Sequence, residues 1–263
     1  MTFPVILHIA GHPIPVHEVC ELAGYIVGVQ TFLFINRANT KKSSTPGVFS
    51  PTGDEKFWLI LWCALGAMIG SKLLAWLEMS PDQILQIHNW LDFLGGKTIV
   101  GGLLGGWIAV EIAKKYFHIT DRTGDGYVAP LVLGIAIGRI GCFLTGLPDH
   151  TYGIATSLPW GIDFGDGIRR HPTQLYEIAF VLLWGSLLWL RSAWPHRQGD
   201  LFRLFMLGYF TFRLLVEFIK PVYRPDDLSA IQWACLAGIA FSVHGLMIKR
   251  PQLLAPEVTH AAT

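Results

Sequence analysis

The sequence predicts an all-α integral membrane protein, a bundle of about seven transmembrane helices, and composition is the first observation behind this prediction. The 263-residue chain is 52% hydrophobic and only 15% charged, and its mean hydropathy is +0.43. A typical soluble domain is about 25% charged, so this chain has too few charges to cover a surface in water. Its formal net charge of +1 also lacks the basic excess of a nucleic-acid-binding protein, and we expect no nucleic-acid partner.

The second observation is the number of apolar stretches that are long enough to cross a bilayer. A transmembrane helix needs about 20 predominantly apolar residues. Stretches of this kind lie at Val19–Ile35, Phe57–Leu77, Ile99–Phe117, Tyr127–Leu147, Gln174–Trp194, Leu201–Ile219 and Ser229–Ile248. No repeat or low-complexity tract divides them, so we expect residues 1–263 to form a single transmembrane domain.

The third observation is the distribution of basic residues between the loops, because cytoplasmic loops are enriched in lysine and arginine. The loops after the first, third and fifth stretches, together with the tail after the seventh, carry 11 basic residues. The opposite side carries 5. The sequence therefore predicts an N-terminus outside and a C-terminus in the cytoplasm.

Ionisable residues within the apolar stretches mark a candidate site. A charge at the bilayer centre costs about 2.5–3.5 kcal/mol unless it meets a partner or a wet cavity. Arg139 and Arg213 lie deep within their stretches, and Glu217 follows Arg213 by four residues. That spacing permits an Arg213–Glu217 pair on one helix face, so a purely structural pair is the alternative to a binding role.

The segment at 148–172 is predicted to be an outward-facing polar loop. It is longer than most connections, which typically have about 4–6 residues, and this length indicates a binding loop. Arg170 lies near its end, and Arg139 and Arg213 are placed by the topology in the same half of the membrane. Several guanidinium groups together suit the oxygens of a phosphate, which in a membrane belongs to a lipid head group.

Glycines and cysteines complete the candidate features. Gly101 and Gly102 begin the third stretch within a glycine-rich run, where small residues allow a helix or a substrate to approach closely. The four cysteines show no paired spacing, so the sequence predicts no metal site, no disulfide framework and no cofactor.

Four segments of the chain resemble the bacterial prolipoprotein diacylglyceryl transferase family. Residues 138–143 (GRIGCF) are similar to the family signature GRIGNF, and residues 170–177 (RHPTQLYE) to its RHPSQLYE motif. Residues 208–218 (GYFTFRLLVEF) resemble its GYxxFRxxVEF motif, and residues 95–106 correspond to its GGMSFHGGLIGG-like segment. Seven spans with an outside N-terminus also fit this family.

The resemblance implies an enzyme of the bacterial cytoplasmic (inner) membrane. Its reaction would transfer a diacylglyceryl group from phosphatidylglycerol to the lipobox cysteine of a prolipoprotein, with glycerol phosphate as the leaving group. The implied partners are phosphatidylglycerol, prolipoprotein signal peptides and membrane lipid. Because the acceptor brings its own thiol, the enzyme needs no nucleophilic side chain.

The resemblance also implies roles for individual residues. Arg139 and Arg213 would bind the lipid phosphate, and Glu217 would orient one guanidinium. The implied catalytic residues are Arg139, His171, Arg213 and Glu217. The implied substrate-binding residues are Gly101, Gly102, Cys142, Arg170, Gln174, Tyr176, Glu177 and Tyr209.

This sequence departs from the family pattern where protons are handled. The family's histidine before the double glycine is Val100 here, and the asparagines of the signature are Cys142 and Thr145. The glutamate that follows them is lost in residues 147–153 (LPDHTYG), and a tyrosine of the first span aligns with Glu21.

These departures leave alternatives open. His171 is the first candidate for the missing proton acceptor, and the alternative is that it anchors the loop; Glu21 is the next candidate. The chain could also be a related transferase with a different acceptor, or a non-catalytic membrane protein that binds anionic phospholipid. A transporter is disfavoured because the cations lie on one side of the membrane and no pair of broken helices marks a midplane site.

Overall fold

The computed structural model is a bundle of long helices. It describes residues 3–9, 12–42, 53–85, 96–119, 122–224 and 227–248. The helices are α1 (Val16–Lys42), α2 (Gly53–Leu77), a short α3 (Pro81–Leu85), α4 (Ile99–Tyr116), α5 (Val128–Thr145), α6 (Thr173–Ser192), α7 (Asp200–Val216) and α8 (Ala230–Met247). The seven long helices coincide with the seven predicted stretches to within a few residues, apart from longer ends on α1 and α2.

The prediction of a helical membrane protein is confirmed. Within the part of the chain that the structure describes, five helices are long and apolar enough to cross a membrane, at Val16–Arg37, Phe57–Leu77, Asp125–Thr145, Thr173–Ser192 and Ala230–Met247. Of the other two long helices, α4 carries Glu111 and two lysines, and α7 has only 17 residues. Large apolar side chains also point away from the protein: Phe34, Trp189 and Met247 are 74–75% exposed. A surface of this kind is suited to lipid, not to water.

The described residues also contain two small antiparallel sheets, which the all-α prediction did not include. Strands β1 (Ile6–Ile9) and β2 (His12–Pro15) form a hairpin immediately before α1. Strands β3 (Ile162–Asp163) and β4 (Arg169–Arg170) pair within the polar loop. Helices therefore form the bundle, and the strands lie before α1 and within the polar loop.

Helices α2 and α4 pack closely through glycines on both partners. A Cβ atom at Gly105 would lie 2.2 Å from the carbonyl oxygen of Gly66, and one at Gly101 would lie 2.3 Å from that of Gly70. The glycines at 66 and 70, and at 101 and 105, have the four-residue spacing that lets two membrane helices approach backbone to backbone. The described part of the glycine run thus acts mainly in packing; Gly95 lies outside the described residues.

Helix α7 supplies the interior of the bundle. Its residues Phe205, Met206, Tyr209 and Phe210 are fully buried. It packs against α6 on one side and α8 on the other, and α6 in turn packs against α5. At the start of α7 the Asp125 carboxylate accepts hydrogen bonds from backbone N–H groups of the helix, which satisfies donors that have no partner within a helix. This packing brings α5, α6 and α7 together around one point.

The polar loop folds back onto the end of α7. The backbone N–H of Ile154 donates to the carbonyl oxygen of Ile219 at 2.8 Å. The backbone N–H of Gly153 donates to the carbonyl oxygen of His171, also at 2.8 Å. Ala155 also pairs with Arg170 in an isolated bridge. The loop therefore covers the ends of α5, α6 and α7.

The glycine packing generates a test of stability with a neighbouring control. We expect Gly101→Ala to lower the free energy of unfolding by about 1–3 kcal/mol, because the new methyl overlaps the backbone of α2. Gly102→Ala is the matched control, since its Cβ would lie 3.7 Å from the nearest atom, the carbonyl oxygen of Ala67. Thermal unfolding in detergent measures both, and equal midpoints for the two variants would contradict the packing role.

Candidate active site

A single buried carboxylate joins the two deep arginines. Glu177 Oε2 lies 2.9 Å from Arg139 Nε and 2.9 Å from Arg213 Nη1. The hydroxyl of Tyr209 donates to Glu177 Oε1 at 2.6 Å. All four residues are at most 5% exposed. Glu177 therefore lies at the centre of a buried ionic group.

A second carboxylate extends this group along α7. Arg213 Nη2 donates to Glu217 Oε2 at 2.9 Å, which is the pair that the four-residue spacing permits. Lys220, which is buried, places its Nζ 3.9 Å from Glu217 Oε1. We name the whole group the arginine cluster; it consists of Arg139, Glu177, Tyr209, Arg213, Glu217 and Lys220.

Three helices position the arginine cluster, each through a different motif. Arg139 lies in the last two turns of α5, and Glu177 lies in the second turn of α6, which begins directly after Pro172. Tyr209 and Arg213 are four residues apart on α7 and so share one face of that helix. The three motifs that are far apart in the chain therefore meet at one place.

The arginine cluster keeps polar atoms that have no hydrogen-bond partner among the described residues. They include Nε of Arg139, Nε of Arg213 and Oε1 of Glu217. Arg139 Nε does lie 2.9 Å from Glu177 Oε2 and forms an ion pair with it. Buried donors are nearly always satisfied in proteins, so the unmatched Nε–H of Arg213 indicates a site for a ligand with acceptor oxygens.

The charges of the arginine cluster favour an anion. Its three basic side chains, with Lys220 protonated, face the two carboxylates of Glu177 and Glu217, which leaves one positive charge in excess. Arginine binds phosphate oxygens through a planar fork of donors. A phosphodiester, with one negative charge, would balance this site.

Arg170 does not join the arginine cluster. Its Nη1 donates to Asp166 at 2.6 Å, and its guanidinium lies 5.1 Å from the centre of the Tyr152 ring. The hydrogen bond from Arg170 lowers the pKa of the Asp166 carboxyl. Arg169 likewise donates to backbone carbonyls of the loop. Both arginines thus make their contacts within the polar loop.

His171 and Tyr176 form a separate contact at the start of α6. The His171 ring nitrogen Nδ1 lies 3.1 Å from the Tyr176 hydroxyl, which accepts a hydrogen bond from Trp160 Nε1 at 2.8 Å. The His171 backbone also binds the loop at Gly153 and Ile154. None of the hydrogen bonds or ion pairs among the described residues joins His171 to the arginine cluster.

The other predicted site residues lie in three places. Gln174 is buried in the first turn of α6 and donates through Nε2 to the Thr151 hydroxyl at 3.1 Å. Gly101 and Gly102 face α2. Cys142 is buried one turn beyond Arg139, whose Nη1 lies 3.6 Å from the Cys142 sulfur. Arg139 therefore contacts both Glu177 and Cys142.

Two contributions to the arginine cluster were missed by the sequence reasoning. Lys220 lies after the sixth apolar stretch, and its three-residue distance from Glu217 could have indicated this pair. Glu177 was assigned to substrate binding, and no spacing predicts that it binds two arginines from two other helices. That contact depends on how α5, α6 and α7 are rotated against one another.

The bundle and the arginine cluster together define a helical membrane protein with a buried, cationic site near one end. The chain belongs to the prolipoprotein diacylglyceryl transferase family, because a family model with that description matches residues 4–248. It is 33% identical over 237 residues to the phosphatidylglycerol–prolipoprotein diacylglyceryl transferase of Nitrosomonas europaea. This match covers 83% of the present chain and 81% of the relative. Relatives with the same name come from two further bacteria. The one from Methylobacillus flagellatus is 33% identical over 85% of this chain and 89% of the relative, and the one from Legionella pneumophila is 35% identical over 74% of this chain and 77% of the relative.

The shared carboxylate generates a stability prediction. We expect Glu177→Ala to lower the free energy of unfolding by about 3–5 kcal/mol, because it leaves two buried guanidinium groups without their common partner. Tyr209→Phe is the milder comparison, since it removes only one hydrogen bond to that carboxylate, worth about 1.5–3 kcal/mol. Unfolding in denaturing detergent gives both values, and a smaller loss for Glu177→Ala than for Tyr209→Phe would refute the central position of Glu177.

Proposed function

We propose that this chain transfers a diacylglyceryl group from phosphatidylglycerol to the lipobox cysteine in the signal peptide of a prolipoprotein. The observation that carries the proposal is the buried pair of arginines on Glu177, in which Arg213 Nε has no hydrogen-bond partner among the described residues and protonated Lys220 adds a third positive charge to two carboxylates. Family membership supports the same reaction.

In the proposed reaction the acceptor thiolate attacks the glyceryl carbon that carries the phosphate. A carbon–sulfur bond forms, the carbon–oxygen bond to phosphate breaks, and glycerol phosphate leaves with a second negative charge. Arg139 and Arg213 would stabilise that developing charge, which fixed donors do without reorganisation in a site shielded from water. Glu177 and Glu217 would hold the two guanidinium groups in position.

The remaining site residues would bind the substrates. Tyr209 and Gln174 lie at the buried side, and Tyr176 and Arg170 lie in or beside the polar loop that covers the site. We assign the loop residues to the leaving glycerol phosphate and the acceptor peptide, because the loop covers the ends of all three helices. Cys142, beside Arg139, would lie near the acceptor sulfur.

The arginine assignment predicts a large loss of turnover. We expect Arg139→Ala and Arg213→Ala each to lower turnover by about 100-fold or more. Removing one hydrogen-bond donor from the oxyanion of a transition state typically lowers turnover by about this factor in other enzymes. The Lys variants should recover little, since an ammonium cannot reproduce the guanidinium fork. Purified protein, labelled phosphatidylglycerol and a lipobox peptide give thioether and glycerol phosphate as the measured products.

Arg191→Ala is the control in that assay, because Arg191 contacts only nearby carbonyls at the far end of α6 among the described residues. Near-normal turnover of Arg213→Lys would contradict the bidentate role. Lipid binding without any product in the wild-type chain would favour the non-catalytic alternative.

The contact of His171 with Tyr176 supports the role of anchoring the loop, which is the alternative to His171 as proton acceptor. We expect the pH–rate profile of His171→Gln to keep the acid limb of the wild-type profile. Loss of that limb would instead assign the proton to His171. Tyr176→Phe serves as the comparison, since it loosens the same contact without removing the imidazole.

We further propose seven spans in the bacterial cytoplasmic membrane, within one domain, with the N-terminus outside. The two long helices beyond the five apolar ones support this count, because both pack within the bundle. A cysteine placed at Asp166 should react with an impermeant reagent in intact cells, and one at Lys41 should not. Labelling of the Lys41 position from outside would overturn the orientation.

A further inference from the structure

Three potential metal ligands from distant parts of the chain meet beside the arginine cluster. His17 lies in the first turn of α1, Cys142 near the end of α5, and Asp149 in the short 3-10 turn that follows α5. Their ligand atoms all lie within 4.8 Å of one another. Nitrogen, sulfur and oxygen ligands bound to zinc lie about 3–4 Å apart, so small side-chain movements would bring these three to a common ion.

The imidazole has a nitrogen directed into this group without a hydrogen bond. His17 Nδ1 lies 3.4 Å from Asp149 Oδ1, but the geometry is not that of a hydrogen bond, and this buried nitrogen has no other partner among the described residues. A buried polar atom of this kind calls for an explanation. Coordination to a metal would satisfy it.

The other side of the imidazole faces a carboxylate that is itself held in place. His17 Nε2 lies 4.0 Å from Glu21 Oε2. Glu21 accepts a hydrogen bond from Lys97 Nζ at 2.5 Å and one from the Tyr25 hydroxyl at 2.9 Å. Metal-binding histidines commonly direct their second nitrogen at a carboxylate, which fixes the ring and its tautomer.

The remaining two ligands also have supporting contacts. The Thr151 hydroxyl donates to Asp149 Oδ2, so that Oδ1 is the oxygen turned towards His17, and Gln174 holds Thr151 from the other side. Arg139 places its Nη1 3.6 Å from the Cys142 sulfur. Each of the three side chains is thus oriented by a second residue.

We propose that His17, Cys142 and Asp149 form a three-ligand zinc site whose open position takes the acceptor thiol. A thiolate, an imidazole and a carboxylate are all zinc ligands, and three protein ligands with one open position are typical of catalytic zinc. One thiolate and one carboxylate balance the two charges of Zn²⁺. The inference rests on the proposed transfer reaction and adds a metal that the cysteine spacing did not predict.

The metal would take over the task of the missing family histidine. On binding, the acceptor thiol loses its proton to water and becomes a zinc-bound thiolate, because a coordinating thiol is deprotonated. Its sulfur then attacks the glyceryl carbon, and the bond from that carbon to the phosphate oxygen breaks. Arg139 contacts both Cys142 and Glu177, so the arriving sulfur and the leaving phosphate would be neighbours. No electrons are gained or lost in this step.

The experiment measures metal binding separately from activity. The full chain, purified in detergent with a tag that binds no metal, is stripped with a chelator and titrated with Zn²⁺ or Co²⁺ alone. We expect about one metal per chain and, with cobalt, a thiolate-to-metal charge-transfer band. Cys142→Ser should lose that band, and Cys63→Ser, which changes an exposed cysteine of α2, should keep it. Glu21→Gln should weaken binding by about 10- to 100-fold, as expected for a residue that orients a ligand.

The outcomes distinguish this inference from the transfer reaction itself. The zinc site is overturned if the wild-type chain shows no cobalt charge-transfer band. It is also overturned if Cys142→Ser keeps that band. Neither result depends on whether every variant folds. Thioether formation that survives complete removal of zinc overturns the role of the metal and leaves the proposed transferase intact. A cobalt band without thioether product supports the site and refutes the transfer reaction. Thioether formation that is lost on stripping and restored by Zn²⁺ supports both.

Discussion

The rest of the structure depends on the contact of one carboxylate with two guanidinium groups. Glu177 is buried in α6, and its partners Arg139 and Arg213 come from α5 and α7. A charge left alone in such a place is costly, and the cost falls only when all three side chains meet. The helices must therefore keep the relative rotation and depth that bring these groups together. The loop, the aromatic interior of α7 and the site itself are arranged around that requirement.

The same contact explains how a membrane protein can keep a phosphate site ready. Two arginines without counter-charge would be poorly tolerated among apolar helices, whereas two arginines neutralised completely would have no attraction for an anion. Glu177 and Glu217 hold the guanidinium groups but leave Arg213 Nε unmatched, and protonated Lys220 beside Glu217 adds the positive charge in excess. Stability and binding are thereby supplied by one set of side chains. A fixed arrangement of this kind needs little reorganisation when charge develops on the substrate.

Arg139 links the phosphate site to the chemistry of sulfur. Its guanidinium contacts Glu177 on one side and Cys142 on the other. Val100, where the family's histidine is expected, is buried and cannot carry a proton. The start of α1 brings the ring of His17 within 4.8 Å of the Cys142 sulfur.

The sequence by itself determined what depends on local periodicity and composition. Apolar length predicted the long helices, and a four-residue spacing permitted the pair of Arg213 and Glu217 that the structure shows, because residues at that distance share a helix face. Only the tertiary structure decided that Glu177 binds both arginines and that Gly101 packs against α2. It alone decided that His17, 125 positions before Cys142, lies beside it. Contacts between helices depend on their rotation and depth, which packing sets across the whole bundle and which no local spacing records.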